Sequence, residues 1–118
     1  CFQLRDDIFD FYDSAVVGKP TGNDLRDGKV SLPLIHVLLD PSTPGVDEAL
    51  ALLRKDSLTD DEIARLQALA RDNGGIDYAF AAMHELRARA AAAIAPMPDR
   101  PEKQMLLDLF DFIIARTY

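Results

Sequence analysis

Apolar residues recur at three- and four-residue spacing from one end of this chain to the other, and no stretch alternates apolar and polar residues in the period-two pattern of a strand. That periodicity, interrupted at intervals by Gly and Pro, predicts an all-α protein. The first helix spans Cys1 to about Asp13, and a loop rich in Gly and Pro runs from Ser14 to Asn23. A second helix is expected from about Asp24 to Leu39, with Pro33 starting or kinking it. Asp40–Gly45 is a break, and a short helix covers Asp47 to about Lys55. Thr59 and Glu62 have the spacing of a capping box, opening a helix that Asn73-Gly74-Gly75 ends after about Asp72. An alanine-dense helix follows from about Ile76 to Ile94. Asp99 can cap a last helix with Met105, Leu106, Leu109, Phe110, Ile113 and Ile114 on its apolar side. No repeat divides the 118 residues, a length suited to one domain.

Composition narrows the function classes. The net charge of −7 argues against a nucleic-acid or anionic-membrane surface, which calls for cationic patches. The acid excess suits cation binding and serves solubility equally well. A single cysteine, Cys1, rules out an internal disulfide framework and fits a reducing, cytoplasmic setting. No apolar run has the length of a transmembrane segment. The chain begins without Met inside a patterned helix that lacks a capping residue, which leads us to expect further sequence upstream.

The first helix carries the densest chemical signal. On a helical wheel, Asp13, Asp6, Asp10, Gln3 and Asp7 share an arc of about 120°. Phe2, Leu4, Ile8, Phe9, Phe11 and Tyr12 take the rest, interrupted only by Arg5. Such a helix is expected to be buried in protein, and like charges one turn apart then repel and are costly unless a cation neutralises them. A divalent ion resolves this, because Mg²⁺ takes one or two carboxylates and leaves sites for substrate phosphate. A solvent-facing acidic stripe is the competing reading. Lys19 follows in Gly18-Lys19-Pro20-Thr21-Gly22-Asn23-Asp24, and Lys29 in Arg26-Asp27-Gly28-Lys29. Glycine-rich loops approach anions closely and lysine is a point charge suited to diphosphate, although each lysine alone reads as a surface residue. Asp60-Asp61-Glu62 compensates a helix dipole instead.

Phe2-Gln3-Leu4-Arg5-Asp6-Asp7-Ile8-Phe9-Asp10, followed by the segment from Gly18 to Ile35, resembles the second aspartate-rich region of the trans-type polyprenyl synthetases. The resemblance is dense over Phe2–Ile35 and looser beyond Leu38. It implies that residues 1–118 are the C-terminal portion of a single polyprenyl synthetase domain, the C-terminal helices of the isoprenoid synthase helical bundle. It also implies a Mg²⁺-dependent prenyltransferase that condenses an allylic prenyl diphosphate with isopentenyl diphosphate. Asp6 and Asp10 would be metal ligands, with Asp7 and Asp24 supporting them directly or through water. Lys19 and Lys29 would hold the diphosphate, Gln3 would line the same site, and Thr21 would lie in the loop beside it. Arg116 would stand in for the basic C-terminal residues that close over the site in many members, and Phe2 would lie near the isopentenyl substrate or serve as a core aromatic.

The family's first aspartate-rich motif is not in these residues. The resemblance therefore implies an inactive half-site on its own, and a homodimer in full-length form. Some family members are non-catalytic regulatory subunits that have lost acids; intact Asp6, Asp7 and Asp10 count against that reading. A plain helical interaction domain with an acidic face has no specific support. His36 and His84 lack partners at ligand spacing, Tyr12 and Tyr78 read as core, and Arg87 and Arg89 as a solvated edge.

Overall fold

Glycines and prolines lie in most of the breaks between helices. The computed structural model describes residues 1–117, and among these it has eight helices and no strand. They are α1 (Phe2–Phe9), α2 (Ser14–Val17), α3 (Asn23–Arg26), α4 (Leu32–Leu38), α5 (Val46–Leu52), α6 (Asp60–Asp72), α7 (Gly75–Ile94) and α8 (Pro101–Ala115). The expected all-α architecture holds, with three boundaries corrected.

Helix α1 ends at Phe9 rather than Asp13. The chain tightens there into turns, with the Phe11 and Tyr12 amides donating to Ile8 and Phe9 at 3.1 and 3.2 Å. Asp13 instead caps α2 by accepting from the Ala15 amide at 2.8 Å, so part of the expected loop is helical. The helix expected from Asp24 to Leu39 is two helices. Gly28 takes a left-handed conformation (φ 73°), and Pro33, lacking an amide hydrogen, sits in the first turn of α4 where none is needed. At α8, Arg100 rather than Asp99 is the N-cap and provides no side-chain bond; Asp99 pairs with Lys103 at 2.9 Å. The Thr59–Glu62 capping box forms as expected, with both reciprocal bonds made.

Helix α4 lies at the centre, against α1, α5, α6 and α7, and α7 also carries α1 and α8. Ile8, Phe11, Leu34, Leu66, Ala70, Ala79 and Met83 are buried together where these helices meet. Tyr78, expected in the core, is about half exposed and stacks its ring on His36 at 3.9 Å. Arg87 is not free at the edge but forks onto Asp111 at 2.7 and 2.8 Å, tying α7 to α8. Of the six residues expected on the apolar side of α8, only Ile114 is buried; Met105 is 68% exposed, and Leu106 and Leu109 are exposed as well. The radius of gyration, 16.7 Å, exceeds the roughly 13.5 Å expected of a compact chain this long, in keeping with extents of 52 × 31 × 22 Å. No helix is long and apolar enough to cross a membrane among the described residues.

Gly75 decides how closely α4 and α7 approach. A Cβ there would lie 2.1 Å from the Pro33 carbonyl oxygen and 2.9 Å from that of Ala70, both backbone atoms that cannot swing aside. Gly75→Ala is therefore expected to destabilise the fold by about 1–3 kcal/mol, read as a lower urea midpoint with an unchanged slope. An unaltered midpoint would mean that the two helices can separate freely.

Candidate functional site

The acids of α1 meet the glycine-lysine loop through Asp10. Its carboxylate oxygens accept from the amides of Asn23 (3.1 Å) and Asp24 (3.0 Å), the first two residues of α3. Its own carbonyl accepts from the Gly22 amide at 3.0 Å and from the Gln67 side chain at 2.5 Å. Gly22 is at φ 75°, and a Cβ on it would meet Ile63 at 2.5 Å, so only glycine lets the loop settle onto α6. Helix α6 thus holds the loop, and the loop holds Asp24 beside α1. Arg26 adds a bond to Asp60 at 2.6 Å, and Arg71 donates to the Phe11 carbonyl at 2.6 Å.

Asp24 carries the electrostatic mark of that arrangement. Its pKa is raised, first by burial and then by Asp10, with Asp7 adding to the effect and Lys29 opposing it. Asp24 on α3 therefore feels the carboxylates of Asp10 and Asp7 at the end of α1. Gln3 donates to Asp7 at 2.7 Å, and Lys29 stands 3.9 Å from Asp24 and 3.3 Å from Asp27. Lys19 lies with its ammonium 5.4 Å from the centre of the Phe9 ring. Thr21 is turned toward Gln67, accepting at 3.5 Å, so it buttresses the loop from behind.

Asp6 is engaged differently. Arg116 reaches it from the C-terminal end at 2.7 Å and lies over the Phe2 ring at 4.1 Å. Two expectations change here. Helix α1 is not enclosed on all sides, since Phe2 is 56% exposed and the Asp6 side chain keeps 36% of its surface. The charge on Asp6 is balanced by an arginine, so burial by itself does not force a metal ion onto the acidic row. Among the described residues no three Asp, Glu, His or Cys side chains converge into one metal cluster. What the chain does offer, carboxylates from two elements with a side-chain amide beside them, is the oxygen chemistry of a hard cation, and Mg²⁺ needs only one or two protein carboxylates. The residues fit such an ion in type.

Sequence reasoning missed Gln67 as the loop's anchor, although a signal was present. Gln67 shares the i, i+3, i+4, i+7 stripe of Ile63, Leu66 and Ala70, and a lone amide in a buried stripe needs a partner. Arg5, noted only as an interruption of the apolar arc, is buried between Phe9 and Phe80, with its centre 4.6 and 4.9 Å from their rings. Desolvation lowers its pKa.

Comparison with known proteins places this geometry in a class, that of the all-α isoprenyl diphosphate synthases. The chain is 35% identical to the geranylfarnesyl diphosphate synthase of Aeropyrum pernix, over 98% of this chain and 36% of that protein. It is 31% identical to the octaprenyl diphosphate synthase of Haemophilus influenzae, over 99% of this chain and 36% of that one. The geranylgeranyl pyrophosphate synthase of Bacteroides thetaiotaomicron superposes with a TM-score of 0.85 at 34% identity, covering 98% of this chain and 37% of that one. The Caulobacter crescentus polyprenyl synthase, solved with calcium and isoprenyl diphosphate, superposes at 0.78 with 26% identity, covering 99% and 36%. The polyprenyl synthetase model matches residues 1–70, and the chain belongs to that family. It spans little more than a third of the length of these relatives.

Replacing Gln67 tests the loop's anchorage. Gln67→Ala should cost about 1–2 kcal/mol and speed hydrogen exchange at the Asn23 and Asp24 amides by about tenfold, with less effect in α7. Equal protection in the variant would show that Asp10 holds the loop without help from α6.

Proposed function

We propose that this chain is the C-terminal portion of a prenyltransferase domain and forms the diphosphate-and-metal side of its site. In the whole protein, an allylic prenyl diphosphate and isopentenyl diphosphate are condensed. The allylic C–O bond breaks and diphosphate leaves; the isopentenyl double bond attacks the allylic cation, and a proton is then lost. One observation carries the reading: the Asp10 carboxylate takes the amides of both Asn23 and Asp24, joining the acidic helix and the lysine loop into one unit.

In this reading Asp6, Asp7, Asp10 and Asp24 hold Mg²⁺. Bound there, the ion neutralises charge developing on the leaving diphosphate. Lys19 and Lys29 draw in the same diphosphate, and Gln3 orients Asp7. Arg116 releases Asp6 and turns to the diphosphate, which removes the ion pair that otherwise competes for that acid. The Caulobacter relative was solved with calcium and isoprenyl diphosphate, which supports a divalent ion and a diphosphate as ligands of the whole protein. The family's other aspartate-rich motif completes the site from the rest of the protein. The chain alone is then inactive, while the whole protein is a cytoplasmic homodimer.

Titration calorimetry tests the half-site without requiring turnover. Mg²⁺ is expected to bind weakly alone and more tightly with pyrophosphate present. Asp7→Asn and Asp24→Asn, which spare the Asp10 clamp, should each weaken the joint binding by about tenfold, or 1.4 kcal/mol. Arg116→Gln should strengthen Mg²⁺ binding in the absence of pyrophosphate by freeing Asp6, and EDTA should abolish the heats. Binding indifferent to all three substitutions would remove the assignment.

A further inference from the structure

Arg5, the single cation of α1, is turned into the fold. It is 6% exposed, with its guanidinium centre 4.6 and 4.9 Å from the rings of Phe9 on α1 and Phe80 on α7. From that sandwich its Nε and Nη2 both donate to one acceptor, the Arg116 carbonyl, Nε at 2.8 Å. Arg116 is the C-cap of α8, and the last carbonyls of a helix have no partner within it. A forked cation there satisfies one of them and suits the negative end of the helix dipole. The backbone of Arg116 is thus pinned on both sides: its amide donates to the Phe112 carbonyl at 2.9 Å, and its own carbonyl accepts from Arg5.

From that pinned backbone the Arg116 side chain returns to α1. Its Nη2 donates to the Asp6 carboxylate at 2.7 Å and to the Phe2 carbonyl at 3.4 Å, and its guanidinium lies 4.1 Å from the centre of the Phe2 ring. Arg116 is also 5.6 Å from the Phe9 ring against which Arg5 lies, so the two like charges are close. Burial lowers the Arg5 pKa first, and Arg116 pushes it the same way while Tyr12 opposes. Anchored at its carbonyl and repelled by Arg5 at its head, the Arg116 side chain is directed onto Asp6. We propose that Arg5 is a positioning residue: by fixing the C-terminal end of α8 it aims Arg116 at Asp6, and so sets how readily a divalent cation takes that acid. The fork is required, because a lysine ammonium is a point charge on a flexible stem and does not replace a stacked, two-pronged donor. The consequence for the ion rests on the metal reading above; the placement of Arg116 does not.

Arginine side-chain NMR, without metal and with EDTA present, tests the placement. A held guanidinium gives separate Nη signals, and one free to rotate gives their average. Asp6→Asn should average the Arg116 signals and leave those of Arg5 resolved. Arg5→Lys keeps the charge, so the amide spectrum should stay folded, yet Arg116 should average there as it does in Asp6→Asn. Phe80→Leu removes one ring of the sandwich and keeps Arg5; it should loosen Arg116 likewise, and it decides the matter if Arg5→Lys does not fold. Mg²⁺ titration without pyrophosphate tests the consequence. Arg5→Lys should strengthen binding by about two- to fivefold, the range of one partly exposed ion pair, and should add nothing in the Arg116→Gln background. Arg116 signals that stay resolved in these variants, or an Arg5→Lys effect that persists in full without the Arg116 guanidinium, would overturn the proposal and leave Arg5 a packing residue alone. A wild type that binds no Mg²⁺ would overturn the metal reading, and the Arg116 signals would still decide whether Arg5 places that arginine.

Discussion

A single aspartate joins the two halves of the candidate site. Asp10 ends α1 and accepts four hydrogen bonds, two on its carboxylate from the start of α3 and two on its carbonyl from Gly22 and Gln67. Charge-assisted bonds to backbone amides are among the stronger ones available to a carboxylate. They do here what a capping side chain does for a continuous helix, except that the acceptor comes from thirteen residues away. Beside that acceptor, the residues between Val17 and Leu32 are held by the Gly22 amide on the Asp10 carbonyl and by the Arg26–Asp60 pair. The loop's lysines and Asp24 depend on these contacts for their position beside the acids.

Charge on the acidic row is handled in two ways. Asp6 has a guanidinium partner from the far end of the chain, whereas Asp7, Asp10 and Asp24 lie close enough to raise the pKa of Asp24. The first arrangement is complete within the chain; in the second, Lys29 opposes the rise without cancelling it. The arginine that neutralises Asp6 ties the C-terminal end of α8 to α1. The same segment is held by Arg5 through the Arg116 carbonyl, so that two arginines from opposite ends of the chain brace each other across the Phe9 ring.

Much of this was legible in the residues, for reasons that differ by element. Long helices with a strong period and a cap, α6 and α7, were placed within a residue or two, since Thr59, Glu62 and the glycine pair act locally. The division of residues 24–39 was missed because apolar spacing continues through a break made by Gly28 and Pro33. The candidate acids and lysines stood out through their pattern and through the family resemblance. The partners that position them did not, because Gln67 and Arg116 lie 57 and 110 residues from the groups they hold. The supposition that a fully apolar helix must enclose its acids also failed, since Phe2 and the Asp6 side chain remain accessible at one end.

The most direct test of the account replaces Mg²⁺ with paramagnetic Mn²⁺ in the presence of pyrophosphate and maps the broadening of backbone amide signals. If α1 and the lysine loop form one cation-and-diphosphate surface, broadening falls together on residues 3–10 and on residues 19–29, and spares α5 and the outer face of α8. Broadening confined to the α6 acids, or spread evenly over every exposed carboxylate, would contradict it.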